Sequence, residues 1–359
     1  MWLVVAVNVG CETPVEPAAR PAHVFEHVLL ISVDGMRPEL LQAPIVERTP
    51  TYARLLRGPH TFNARTDPDI TVTLPNHVSM ATGRLFAGPN GHGWLENKDP
   101  PKAGEGGTIA EMHGEYVPSM FDVANDHGFA TALIASKKKF VLFDQSYDEV
   151  RGALDTHGVD DGRDKIDAFI FQESSQQVAR ATLAFLRAAG ARGGGSLSFV
   201  HFAETDTAGH TAGWDFADET LYRKAALSID SAIGEIMQGI DADAALRGHV
   251  AIILTSDHGG GGVPVLSHTD AKAAINFTIP FAIWLAQDQP ASDLYELNAS
   301  TRTRPAADSN PSADAAAPIR NADAGNAALM LLGLPAIPKS SVNAGQNLRV
   351  TASGGTTKE

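Results

Sequence analysis

The sequence predicts an α/β fold, specifically a three-layer α/β/α sandwich with a mainly parallel central sheet. Two observations support this prediction: short apolar runs alternate with helical patterns, and acidic residues repeatedly follow the apolar runs. A continuous apolar run is typical of a strand buried on both faces of a parallel sheet. Strands that alternate with helices favour β-α-β units, in which helices cover both sides of the sheet.

Five apolar runs are predicted to be strands, at 27–33, 129–135, 197–203, 249–254 and 278–285. Asp34, Asp206 and Asp257 each come shortly after one of these runs. Open α/β sheets build their sites at the carboxyl ends of their strands, so we expect these carboxylates to share one edge of the sheet.

Helical patterns are predicted at 48–56, 118–126, 166–189, 221–240 and 322–332. The clearest is 221–240, where apolar residues recur every three or four positions along one face. Thr73 precedes a Pro-Asn-His turn and a further helical pattern at 78–82. This context predicts that the Thr73 hydroxyl leaves a strand end and is directed into a pocket.

The composition is that of a soluble globular protein, with 359 residues, 43% hydrophobic and 19% charged. The formal net charge is -14, which argues against nucleic-acid binding by bulk charge. A small-molecule phosphate ester would need local cations to offset this negative field, and bound metal ions would supply them.

Cys11 is the one cysteine in the sequence, which excludes an intrachain disulfide and a cysteine zinc site. It follows an apolar run at 2–9 and precedes a spacer rich in Pro, Ala and Glu. This segment resembles the end of a bacterial lipoprotein signal. We expect export to the periplasm or attachment to the membrane only through a lipidated Cys11; the alternative is a disordered start with an incidental cysteine.

Aspartate and histidine recur in groupings that suit a transition metal. Alone, each has a commoner structural explanation, such as a helix cap, a turn or a surface histidine. Together with the Thr73 hydroxyl they divide into two sites that leave room for a substrate oxygen. The candidate ligands are Asp34, Thr73, Asp206, His210, Asp257, His258 and His268.

These residues lie in motifs that resemble the alkaline phosphatase superfamily, and within it the bacterial type I phosphodiesterase/nucleotide pyrophosphatase family. The motifs are VDGMRP (33–38), TLPNH…TG (73–83), HGWLEN (92–97), DTAGH (206–210), SDHGG (256–260) and SH…IPF (267–281). They occur in the order of the family, and the resemblance covers residues 27–285.

The resemblance implies one zinc site at Asp206, His210 and His268. It implies a second at Asp34, Asp257, His258 and the Thr73 oxygen. Mn²⁺ or another divalent transition metal could replace either Zn²⁺.

The resemblance also implies a reaction. Thr73 would attack phosphorus and form a covalent phosphothreonine, which a zinc-activated water then hydrolyses. Asn97 and the backbone N–H of Leu74 would hold a phosphoryl oxygen.

Lys137 and Lys139 follow the second predicted strand and resemble a lysine pair that binds the charged oxygens of some substrates in the superfamily. If both face the site, a phosphate monoesterase or phosphonate hydrolase becomes the alternative to a phosphodiesterase. If they form a solvated strand end, the phosphodiesterase is favoured.

A rival of another class is a non-catalytic member that binds metal and a ligand or partner. The predicted division is a leader and linker at 1–25, a catalytic domain with loop insertions at 26–338, and a disordered tail at 339–359.

Overall fold

An eight-stranded sheet forms the centre of the computed structural model, which describes residues 25–262, 264–286, 290–312 and 317–351. The strands are β1 His27–Val33, β2 Pro59–Arg65, β3 Ala130–Ala135, β4 Ala168–Phe171, β5 Ser196–Phe202, β6 Val250–Thr255, β7 Thr278–Leu285 and β8 Ser292–Asp293.

The order of the strands across the sheet is β4-β3-β5-β1-β6-β7-β2-β8. Neighbouring strands pair in parallel, except that β7 is antiparallel to both β6 and β2. The predicted α/β sandwich with a mainly parallel sheet is therefore confirmed. Its parallel strands bring their carboxyl ends to one edge, where the candidate site lies.

Helices lie on both faces of the sheet. They are α1 Pro50–Leu55, α2 Thr73–Thr82, α3 Ile109–His113, α4 Met120–Asp126, α5 Val141–Ser146, α6 Ser175–Ala191, α7 Glu204–Ala212, α8 Leu221–Ala242, α9 Ala274–Phe277, α10 Leu294–Leu297 and α11 Asp323–Leu332.

The central strand β1 is buried on both faces because its side chains alternate between two apolar clusters. Leu29 and Ile31 pack with the apolar faces of α6 and α8, whereas Val28 and Leu30 pack with α2, α4 and α11. This alternation produces the two helical layers of the sandwich.

Several elements differ from the sequence prediction. The single helix predicted at 166–189 is the strand β4 followed by α6, which begins at a capping box on Ser174. The strand β2 was not predicted. Helix α2 begins at Thr73 itself, so the hydroxyl lies on the first helical residue rather than at a strand end.

Residues 339–351 also differ from the predicted disordered tail. Leu348 is fully buried in the core, and Asn343 accepts hydrogen bonds from Arg302 and from two backbone N–H groups. The rest of the predicted tail and the leader with Cys11 lie outside the described residues. No helix among the described residues has the length and apolar character needed to cross a membrane.

Candidate active site

Two groups of side chains meet at the carboxyl edge of the sheet, and their division matches the one predicted from the sequence. Within each group, the ligand atoms lie within 4.8 Å of one another. The first group is Asp206, His210 and His268; the second group is Asp34, Asp257 and His258.

The groups adjoin because the strands that carry them are neighbours. Asp34 follows β1, Asp257 and His258 follow β6, and α7 carries Asp206 directly after β5. His268 returns to the site in the loop between β6 and β7, and its ring stacks on His258 at a centroid distance of 3.5 Å. The His258 Nε2 atom is 3.9 Å from Asp206 Oδ1, so the two groups form one continuous centre.

Backbone carbonyls fix the tautomer of all three histidines. The Nδ1 atom lies 2.9 Å from Leu266 O in His210, 2.8 Å from Gly259 O in His258 and 2.6 Å from Thr71 O in His268. A carbonyl oxygen can only accept, so each Nδ1 carries the proton and each Nε2 presents a lone pair. This is the arrangement that a metal-binding histidine needs.

Each of the three aspartates has one oxygen without a hydrogen-bond partner among the described residues. These buried atoms are Asp34 Oδ1, Asp206 Oδ1 and Asp257 Oδ2. They lie 3.3 to 3.4 Å from a histidine Nε2 atom. Unpartnered carboxylate oxygens that face nitrogen lone pairs are costly without a cation, so the residues present fit a transition metal in each group.

The charges of the buried carboxylates support the same fit. Burial raises the pKa of Asp257 well above its usual range, and the neighbouring charge of Asp34 raises it further. For Asp34, burial acts in the same direction, but Lys137 and His201 outweigh it and hold the pKa well below its usual range. The site therefore concentrates negative charge that cations stabilise.

Thr73 lies at the N-terminus of α2, fully buried, with its Oγ1 atom 3.5 Å from His258 Nε2. The hydroxyl is thus beside the second group, as expected for an oxygen that shares a metal with Asp34, Asp257 and His258. The dipole of the helix N-terminus also favours a phosphoryl anion here. The Leu74 N–H, which was predicted to hold a phosphoryl oxygen, instead donates to Asn97 Oδ1 in this structure.

Asn97 lies beside the start of α2, although it comes 24 positions after Thr73 in the sequence. Its Oδ1 atom accepts hydrogen bonds from the Leu74 N–H at 2.9 Å and from the Lys139 ammonium at 2.8 Å. With Oδ1 engaged by two donors, the Nδ2 group of this exposed side chain is the one left to donate to a substrate oxygen.

Lys137 and Lys139 both face the site, but they have different partners. The Lys137 ammonium lies 2.7 Å from Asp34 Oδ2 and 2.6 Å from Asp206 Oδ2, and so joins the two groups. Burial acts to lower its pKa, yet these two carboxylates raise it overall. Burial and the charge of Lys137 lower the pKa of Lys139 to about 8.

The family described as Type I phosphodiesterase / nucleotide pyrophosphatase matches residues 28–328. This chain belongs to that family. The match includes every candidate residue described above.

Solved structures of other proteins share the fold. An alkaline phosphatase superfamily protein from Vibrio parahaemolyticus is 12% identical, with a TM-score of 0.56, over 92% of this chain and 74% of that one. The lipoteichoic acid synthase LtaP from Listeria monocytogenes is 12% identical, with a TM-score of 0.57, over 92% and 76%. At this identity the likeness concerns the fold alone. No curated protein matches the sequence.

The site of this phosphodiesterase-family protein also contains residues that the sequence analysis did not identify. His201 lies 2.9 Å from Asp34 Oδ2, and Thr205 Oγ1 donates to the Asp34 carbonyl at 2.6 Å. Asn321 Nδ2 is bonded to Asn76 in α2, beside the Asp257 carbonyl. The sequence did not mark His201, because the same buried strand also contains the polar residues Ser196 and Ser198.

Trp214 packs against the first group. Its indole N–H donates to the Gly35 carbonyl at 2.9 Å, and its ring centroid is 5.5 Å from that of His210. A Cβ atom added to Gly209 or Gly260 would lie 2.3 Å from the indole. The two glycines therefore make the slot that holds the ring.

Proposed function

We propose that the protein is a metal-dependent phosphodiesterase or nucleotide pyrophosphatase that uses Thr73 as its nucleophile. The observation that carries the proposal is the position of Thr73 Oγ1, at a helix N-terminus and 3.5 Å from His258 Nε2. The hydroxyl lies beside His258, which belongs to the centre formed by three aspartates and three histidines. The family supports hydrolysis of a phosphoric ester or anhydride.

Two ions, zinc or another divalent transition metal, would be held by the first and second groups. When bound, such ions lower the pKa of a hydroxyl or water and stabilise the charge on entering and leaving oxygens. Threonine requires this help, because its free hydroxyl is a weak nucleophile.

The residues of the chain divide the remaining tasks. Thr73 Oγ1 loses its proton to solvent and forms the new bond to phosphorus as the bond to the leaving oxygen breaks, which gives a phosphothreonine and releases the leaving group. Hydrolysis then breaks the bond between threonine and phosphorus and restores the hydroxyl. The Asn97 amide and the Lys139 ammonium lie where they can hold a phosphoryl oxygen during both steps.

The test uses zinc-loaded protein and bis-p-nitrophenyl phosphate. Thr73→Ala should reduce kcat by at least about 10³-fold while the bound zinc, measured by elemental analysis, stays largely unchanged. Thr73→Ser, the matched control, keeps a hydroxyl and should retain much more activity. Turnover by Thr73→Ala at the wild-type rate would exclude Thr73 as the nucleophile.

A phosphate monoesterase or phosphonate hydrolase is the second candidate, and the position of Lys139 favours it. The buried ammonium adds a positive charge beside Asn97, where a substrate with more negative charge than a diester would benefit. The kcat/KM ratio for p-nitrophenyl phosphate against the bis-ester distinguishes the two candidates. A preference for the diester supports the first proposal, and a preference for the monoester supports the second.

The same assay tests the alternative that the protein binds a ligand or partner without catalysing a reaction. Protein that holds two metal ions but turns over neither ester would favour that alternative or a more specialised substrate. A panel of nucleotide anhydrides and phosphonates, assayed by phosphate or product release, then separates these two outcomes.

A further inference from the structure

His201 is a fully buried histidine on β5, outside both groups of candidate ligands. It is paired with Ser32 in the register between β5 and β1. Side chains alternate along a strand, so Ser32 and Asp34 lie on the same face of the sheet. His201 is therefore the diagonal neighbour of Asp34, within reach of its carboxylate.

The hydrogen bond from His201 distinguishes the two oxygens of Asp34. Asp34 Oδ2 is 2.9 Å from His201 Nε2 and 2.7 Å from the Lys137 ammonium. Asp34 Oδ1 has no such partner in the part of the chain that the structure describes, and lies 3.4 Å from His258 Nε2. One oxygen is thus anchored and the other is presented to the second group.

Two aromatic rings pack against the His201 ring. The Phe140 ring lies 4.3 Å away, and the His77 ring lies 5.0 Å away at nearly a right angle. Phe140 directly follows Lys139, and His77 bonds through Nδ1 to the Thr73 carbonyl at 2.7 Å. The ring is therefore in contact with the lysine segment and the nucleophile helix.

Within the described residues, the bond to Asp34 is the one side-chain hydrogen bond of His201, because its Nδ1 atom has no partner. The Asp34 carboxylate can only accept, so the His201 Nε2 atom carries a proton and donates this bond.

We propose that His201 is a positioning residue that orients Asp34 for metal binding, by anchoring Oδ2 so that Oδ1 faces the second group. The inference rests on the metal-binding part of the proposed function. Among the described residues, His201 is hydrogen-bonded to Asp34 and not to Asp206, His210 or His268. It should therefore act on one of the two ions and leave the other unchanged.

The experiment measures zinc dissociation constants by competition with a chromogenic chelator, independently of activity. His201→Leu should weaken the binding of one of the two zinc ions by about 10- to 100-fold. This is the usual effect of removing a partner that orients a metal ligand. At saturating zinc, kcat/KM should return close to the wild-type value.

Two further variants keep the test decisive. His201→Gln retains an amide N–H near the position of Nε2 and should recover most of the affinity, whereas the shorter His201→Asn should not. His27→Gln is the matched control. It changes a buried histidine bonded to Ser196 at the opposite end of the same two strands and should leave both ions unaffected.

Wild-type affinity for both ions in His201→Leu would overturn the inference. An equal loss of affinity for both ions would also overturn it, as would a glutamine variant that binds zinc no more tightly than the leucine variant. Wild-type protein that binds no zinc would overturn the metal-binding proposal itself, so the two failures are distinguishable.

Discussion

At the scale of single residues, His92 shows how a buried ring can be restricted to one protonation state. Its Nε2 lies 3.0 Å from Ser79 Oγ, and its Nδ1 accepts the Trp94 N–H at 3.1 Å. A proton on Nδ1 would break the second bond. Burial, with a contribution from Arg84, lowers the pKa of His92 to about 3.

This arrangement predicts a dependence of stability on pH. An unfolded histidine takes up a proton near pH 6.5, but folded His92 does not until about pH 3, so the stabilisation is present above pH 6.5 and is lost as the pH falls towards 3. Well below pH 6.5, wild type should lose about 1.4 kcal/mol more per pH unit than His92→Gln. Urea unfolding at several pH values measures this difference.

His157→Gln is the control for that experiment, because His157 is exposed. Its slope of stability against pH should match that of wild type. An identical slope for His92→Gln and wild type would contradict the assigned role of the buried ring.

Lys139 provides a second pH-dependent prediction, now in binding. A lysine is charged below its pKa, so with a pKa of about 8 its attraction for a phosphoryl group should fade as the pH rises through 8. Lys139→Met should raise KM for p-nitrophenyl phosphate at pH 7 and should lose the part of the KM-pH profile that wild type shows near pH 8. Steady-state kinetics from pH 6.5 to 9.5 test this.

Lys139→Arg is the matched variant, because arginine stays charged throughout that range. Its KM should lack a rise near pH 8. A methionine variant with the KM of wild type at pH 7 would show that Lys139 does not contact the substrate.

At the scale of elements, α7 depends on one glycine to bring its ligands against Trp214. A Cβ at Gly209 would lie 2.3 Å from the indole, which cannot move freely because it is also confined by Gly260 and bonded to the Gly35 carbonyl. Gly209→Ala should therefore destabilise the fold by about 1–3 kcal/mol, despite the better helix propensity of alanine. Chemical denaturation measures the loss.

Gly190→Ala in α6 is the control, because the nearest atom to its added Cβ would be the end of the Leu246 side chain at 3.3 Å. This variant should be neutral or slightly more stable. Gly209→Ala should also weaken zinc binding at the first group, and a variant as stable as wild type would disprove the role of the slot.

The sequence prediction missed some elements for physical reasons. The pattern at 166–189 contains β4, a strand of four residues whose apolar side chains are compatible with either period. The sequence of β2 mixes polar and apolar residues, because this strand lies near the edge of the sheet and is only partly buried. The helix start at Thr73 was missed because the N-cap position is occupied by Val72, whose apolar side chain gives no capping signal in the sequence.

The ligand groups could be predicted because each aspartate follows a strand end, and parallel strands bring these ends together. The partners of those ligands could not. Strand register and long-range packing bring His201, Thr205 and Asn321 to the site. Neither of these produces a recognisable spacing of residues in the sequence.

At the scale of the whole molecule, a chain of net charge -14 gathers three buried aspartates at one edge of its sheet. Metal ions bound to the folded state should therefore stabilise it, by about 2.7 kcal/mol for each site at a free zinc concentration of 100 Kd. Chelator-treated protein should show a lower Tm that zinc restores, as measured by differential scanning calorimetry.

Thr73→Ala should keep most of that zinc-dependent rise in Tm, whereas Asp206→Asn should lose much of it. Equal Tm values with chelator and with zinc would argue that the folded protein does not bind the ions.

The reversed direction of β7 has a consequence for how this architecture can diversify. Since β6 and β7 are antiparallel neighbours, the segment 256–277 that carries Asp257, His258 and His268 leaves and rejoins the same edge of the sheet. Additional residues between His258 and His268 would lengthen this loop without changing the order or the register of the strands. This segment is the natural place to graft a longer loop or a small module that selects among substrates while the centre beneath it stays intact.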